Sequence, residues 1–143
     1  MNMNQKRASF ALEKVNGIDK MEKVKLLKNN ASKLVAFIQT SGFLQAMDYA
    51  ASKMNDIHLT IQNWFEKSSD DNGPGFDNNL MTAEKNDTLN EYLTKLEDSK
   101  EYRRVMMETI GILGWIKSKA EGRENELKRE NELKIEEDHH DKL

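Results

Sequence analysis

Cysteine is absent from the 143 residues and proline occurs once, at Pro74. Without thiols there is no disulfide framework and no thiolate metal or redox site, a composition that suits a reducing compartment. No apolar run approaches the roughly 20 residues of a membrane span, and the opening Met1-Asn2-Met3-Asn4-Gln5 lacks the apolar stretch of a secretory signal. A soluble, cytoplasmic protein without a membrane association is therefore expected. There is no convincing β-strand run. A Gly-rich phosphate loop, a G-x-S-x-G nucleophile turn and an H-E-x-x-H zinc motif are all missing, which removes the commonest sequence signs of an enzyme.

What the chain does have is helical period. In Glu101–Ala120, the apolar residues Tyr102, Val105, Met106, Ile110, Leu113, Ile116 and Ala120 recur three or four apart, which puts them on one helix face. Asp98 or Ser99 is placed to cap its start. Gly111 and Gly114 each weaken a helix by roughly 1 kcal/mol relative to Ala, so a neighbouring helix approaching too closely for a larger side chain is expected beside them.

Upstream, a first helix is expected over about 6–16, with Ala8, Ala11, Leu12 and Val15 inward and a stop at Gly17. Asp19 with Glu22 makes a capping-box signal for a second helix carrying Met21, Val24, Leu27, Ala31, Leu34, Val35 and Ile38, with Asn29-Asn30 as a place for a bend and Gly42 beyond its end. A third helix carries Phe43, Leu44, Met47, Ala50, Ala51 and Met54, and a fourth Ile57, Ile61, Trp64 and Phe65. Thr88 with Glu91 caps a short fifth helix holding Leu89, Tyr92, Leu93 and Leu96. The expected fold is all-α, a compact bundle of five to six helices within 1–121. Two segments fall outside it. The stretch 68–85, with Asp70, Asp71 and Asp77 around Pro74, has no period and reads as a long acidic loop. Residues 122–143, with ENELK repeated once and only Leu127 and Leu133 in a dozen residues, read as a charged, exposed and flexible tail.

Charge is segregated along the chain. Residues 1–35 carry +5, residues 36–121 carry −5 and residues 122–143 carry −3. A basic N-terminal region is either a phosphate-facing surface or a solvated lysine face. Other groups carry less. His58 reads as a capping or surface residue. His139-His140, at a mobile end, has no supporting shell for a metal, and Asp70, Asp71 and Asp77 would make an imprecise Mg²⁺ site on a loop. Trp64 and Trp115 read as core. Arg103 and Arg104 lie in the first turn of their helix, where the macrodipole does not favour cations. Arg103 either pairs with Glu97 or Glu101 as a surface bridge or faces an acidic partner or a phosphate. No cofactor and no metal is expected.

Three segments carry a resemblance when taken together: Arg7-Ala8-Ser9-Phe10-Ala11-Leu12-Glu13-Lys14-Val15, Leu34 through Ala46 with the Ser41-Gly42-Phe43-Leu44 break, and Glu101-Tyr102-Arg103-Arg104 with Glu108 and Trp115-Ile116-Lys117. In this order and spacing, over about residues 6–121, the chain resembles the small all-helical subunit of the Cmr complex, the type III-B CRISPR RNA-guided effector. Val105 and Thr109 stand where smaller residues would be expected, and the chain after Gly122 has no counterpart. The resemblance implies a non-catalytic subunit whose copies lie side by side with the backbone subunits and help line the channel where target RNA pairs with the guide. Cleavage would belong to the backbone subunits. With the charge pattern, it makes Lys6, Arg7, Lys14, Lys23, Lys28, Arg103 and Arg104 the candidate RNA-binding residues. The alternative is a stand-alone helical adaptor that binds a protein through an apolar helix face. A helix-turn-helix DNA binder is disfavoured, since no second helix is rich in Arg, Asn and Gln.

Overall fold

The structure is a computed structural model that describes residues 1–67, Gly73 and 88–141, with side chains to residue 138. Six helices are present among the described residues: α1 (Met3–Asn16), α2 (Met21–Ser41), α3 (Phe43–Lys53), α4 (Asn55–Glu66), α5 (Leu89–Lys95) and α6 (Ser99–Asp141). The architecture is all-α, as expected. The segment read as an acidic loop lies outside the described residues apart from Gly73, as do the side chains of His139 and His140.

Helix α6 is the spine. At 43 residues it is about 64 Å long, and α1 and α2 pack along it. Arg7 meets Glu108 while Arg123 meets Ile18, so α1 runs parallel to α6. Lys28 meets Glu124 while Leu44, just past α2, meets Tyr102, so α2 runs antiparallel to it. Helix α3 packs on α2, and α4 and α5 pack on α3. Between them lies one core, with Trp64, Phe43, Phe65, Leu34, Met47, Ile57 and Ile112 among its fully buried side chains.

The buried seam of α6 runs Val105, Thr109, Ile112, Ile116 and Ala120, together with Leu113. It is rotated from the expected face: Tyr102, Met106 and Ile110 are only partly buried at its edge. Thr109 is accommodated because its hydroxyl donates to the carbonyl of Val105 at 2.8 Å, leaving only its methyl to pack. Leu12, expected inward, is 43% exposed, and Phe10 is buried in α1 instead. Ala46 takes the core place expected of Ala51.

The helix ends follow local chemistry with two corrections. Asn2 and Gln5 form a reciprocal capping box on α1, Thr88 accepts from the amide of Glu91 on α5, and Asp98 accepts from the amide of Lys100 at the start of α6. The capping box expected of Asp19 and Glu22 is not made. The N-cap of α2 is Lys20, with no side-chain cap bond; Asp19 lies one residue before it and meets Arg123 at 3.4 Å. Nor is α2 interrupted at Asn29-Asn30. Asn30 is buried and its amide nitrogen donates to Asp56 at 2.8 Å, so a polar residue in mid-helix is satisfied by α4 rather than by its own backbone. Gly42 ends α2 and begins α3 at φ +89°, ψ 160°, a conformation essentially reserved to glycine. The α3 N-terminus has no side-chain cap of its own. The amide of Leu44 instead donates to the Tyr102 hydroxyl at 3.0 Å, and the Tyr102 ring meets Phe43 edge-on at 5.6 Å.

No chain break separates the expected tail from the bundle, since α6 passes through Gly122 without interruption. Glu124 and Leu127 are buried at 8% and 6% exposure, so the seam continues for more than a turn beyond the expected boundary. Leu133 and Ile135 further on are exposed.

Candidate nucleic-acid interface

Two of the seven candidate cations are drawn into ion pairs between helices. Helix α6 shows why. Glu108 and Glu124 lie on it about 24 Å apart along the axis, and each draws one candidate inward. Arg7 Nε donates to Glu108 Oε2 at 2.6 Å and Nη2 donates to Oε1 at 2.9 Å, a two-pronged pair across α1 and α6 with side-chain exposures of 21% and 7%. The same guanidinium donates to Asn4 at 3.0 Å. Pairing with Glu108 raises the Arg7 guanidinium above its ordinary value, against the opposing effect of burial, so this cation is fixed and always charged.

Gly111 belongs to this arrangement. A Cβ there would stand 3.4 Å from Arg7 Nε, so the space left by the missing side chain is filled by a guanidinium and not by a neighbouring helix backbone. Gly114 has open space around it, with nothing within 4 Å of where a Cβ would be. The close helix approach expected of both glycines is found at neither.

Lys28 is committed at the other end. Its ammonium donates to Glu124 at 2.6 Å, and this hydrogen bond holds the Glu124 carboxyl below its ordinary value despite burial, with Lys28, Lys25 and Lys128 adding positive charge nearby. Arg123 completes that end: Nε donates to the Ile18 carbonyl at 3.1 Å, while the guanidinium also reaches Asp19 and Glu126. Arg7 and Lys28 are thus interhelical ties. Arg104 is exposed and lies 3.7 Å from Glu101.

Lys23 and Arg103 are exposed, Lys23 near the start of α2 and Arg103 near the start of α6. Lys6 and Lys14 lie on α1. The Lys14 ammonium is 5.4 Å from the Phe10 ring centre, and a lysine that sequence reading did not single out, Lys67 at the end of α4, is 5.8 Å from the same ring. Lys6 and Lys67 both line a pocket of about 130 Å³ with Met1, Ser9, Phe10 and Glu13. The α1 spacing of Lys6, Ser9, Phe10, Glu13 and Lys14 put these residues on one face; their meeting with Lys67 depends on how α4 packs and had no sequence signal.

The aromatic residues are arranged as expected of core only in part. Trp64 is fully buried, 5.0 Å from Phe10, whereas Trp115 is partly buried with the Lys119 ammonium 5.8 Å from its ring. His58 ties three helices together: its Nε2 is 2.9 Å from Asn90 Oδ1, and the Asn90 amide nitrogen donates to Asp48 at 2.9 Å. Among the described residues, no three His, Cys, Asp or Glu side chains are grouped as a metal ion would require, and no helix is long and apolar enough to cross a membrane.

These observations define a small helical bundle in which Glu108 and Glu124 are spent on internal ties, while both basic and acidic side chains remain on its surface. Its family is given by sequence: residues 3–123 match the family model described as CRISPR-associated protein (Cas_Cmr5). The chain belongs to that family, the Cmr5-type CRISPR-associated proteins of the type III-B Cmr complex. No curated protein and no solved structure matches it.

Proposed function

We propose that the protein is a non-catalytic structural subunit of the type III-B RNA-guided complex, helping line the channel that holds guide and target RNA. The family match over residues 3–123 carries this reading. The charge pattern supports it: exposed Lys23 and Arg103, and Lys6 and Lys14 on α1, offer positive charge to phosphates, while the bundle itself is held by pairs that an RNA need not disturb. Such contacts neutralise phosphates without reading bases, so target choice comes from pairing with the guide and not from this chain. Its partners are the other Cmr subunits, neighbouring copies and the RNA.

The test is reconstitution with the partner subunits. Charge reversal of Lys6, Lys23 and Arg103 should leave assembly intact while target RNA binding weakens and its salt dependence falls, equally for unrelated target sequences. The purified chain should cut neither RNA nor DNA with Mg²⁺ or Mn²⁺. Failure to join the complex would favour the stand-alone adaptor, and metal-dependent cutting lost on changing Asp70 and Asp71 to Asn would make the chain an enzyme.

A further inference from the structure

Arg7, Lys28 and Arg123, which tie helices together, each have a carboxylate within reach, and so does Arg104 within α6. Lys6, Lys14 and Lys67 have none within ion-pair distance among the described residues, yet Lys14 and Lys67 converge on the Phe10 ring and Lys6 with Lys67 lines the pocket beside it. Three like charges gathered this way repel one another, and among the described residues Glu13 is the one acid in the pocket wall. The ring face attracts both neighbouring ammoniums and so holds them in place. The pocket is several times the ~30 Å³ share of one water, and the Ser9 hydroxyl adds a neutral donor.

We propose that this pocket is a subsite for one phosphodiester group of an RNA strand, with Lys6 and Lys67 as its direct cationic contacts, Lys14 supporting the field and Ser9 donating to an unesterified oxygen. The proposal rests on the RNA-channel reading and adds Lys67 and a defined locus to it. A phosphate fits better than a base. Phe10 is only 4% exposed, with Trp64 5.0 Å away, so no ring face is left on which a base could stack. The contact is therefore blind to sequence.

The test uses the full-length ¹⁵N-labelled chain titrated with a mixed-sequence single-stranded RNA across 50–200 mM salt, chosen because amide shifts read weak binding. Shifts should centre on Ser9, Phe10, Glu13 and Lys67. K6Q/K67Q, with an unchanged circular dichroism spectrum, should lower the log–log salt slope by about 0.7, the value for one single-strand phosphate. Extrapolated from a 1 M salt reference, that is about 5-fold weaker binding at 0.1 M. Glu13→Gln should tighten binding, while Lys53→Gln on α3 should change neither slope nor affinity.

Several results would overturn the subsite: no shifts with the wild-type chain at 50 mM salt, an unaltered slope in K6Q/K67Q, or an equal loss in the Lys53 variant, which would mean diffuse attraction. Polyglutamate shifting the same amides as strongly as RNA would also overturn it, by making the pocket a site for acidic polypeptide. K6Q/K67Q placed in the assembled complex separates this inference from the functional reading. If charge reversal of Lys23 and Arg103 weakens target binding while K6Q/K67Q does not, the subsite falls and the RNA-channel role stands.

Discussion

Replacing Arg7 with alanine is the most direct test of what that residue is for. The substitution removes a two-pronged partner from Glu108, whose side chain is 7% exposed, and strands a carboxylate between α1 and α6. Breaking a buried ion pair from one side costs about 3–5 kcal/mol, chiefly because the remaining charge has lost its compensation. Arg7 itself is 21% exposed, and water can enter through the space its side chain leaves, so about 2–3 kcal/mol is the better expectation here. A chain of this length lies between the size classes that lose ~2–4 °C and ~4–8 °C per kcal/mol, which gives a fall in melting temperature of about 6–12 °C. Thermal and urea unfolding followed by circular dichroism would measure it. Adding Glu108→Gln to the variant should restore part of the loss, because a neutral amide is far cheaper to bury than an unpaired charge. An Arg7→Ala protein that melts within about 1 °C of wild type would refute the reasoning: Glu108 would then be content with water.

Three further outcomes are expected. Gly42→Ala forces a side chain into φ +89°, ψ 160°, and should destabilise the protein by about 1–3 kcal/mol in urea unfolding, with no compensation from packing since nothing lies near the site. Truncation after Lys128 should leave stability unchanged, whereas truncation after Gly122 also removes buried Leu127 and the Lys28–Glu124 and Arg123 ties, and should cost at least about 1.5–3 kcal/mol from the leucine alone by melting. For Glu124, whose carboxyl is held below its ordinary value first by the Lys28 hydrogen bond, the sign is that of an acid depressed on folding: its stabilisation is full above the unfolded carboxylate range near pH 4.5 and is lost as pH falls through the lower folded value. Wild type and Glu124→Gln should therefore differ most in stability at neutral pH and converge in strong acid, as pH-dependent urea unfolding would show.

How much of this molecule was legible beforehand depended on the range over which each interaction acts. Helix existence, the Gly42 break and the caps at Thr88 and Asp98 are set within a few residues by backbone conformation and short hydrogen bonds, so sequence alone determined them. The apolar spacing determined the all-α class for the same reason, and the family likeness was carried by short segments of α1, α2, α3 and α6. Which side of each helix faces inward was less secure, since Leu12 and Phe10 differ by little more than half a turn and only the crossing of α1 with α4 and α6 chose between them. The fate of the charges lay wholly in the tertiary structure. Arg7 and Lys6 are adjacent in sequence, but one turns to a carboxylate about a hundred residues away and the other to a pocket shared with Lys67. The role of a long flexible cation is decided by which acid, ring or solvent lies within a few ångströms of its tip, and that depends on how distant helices pack.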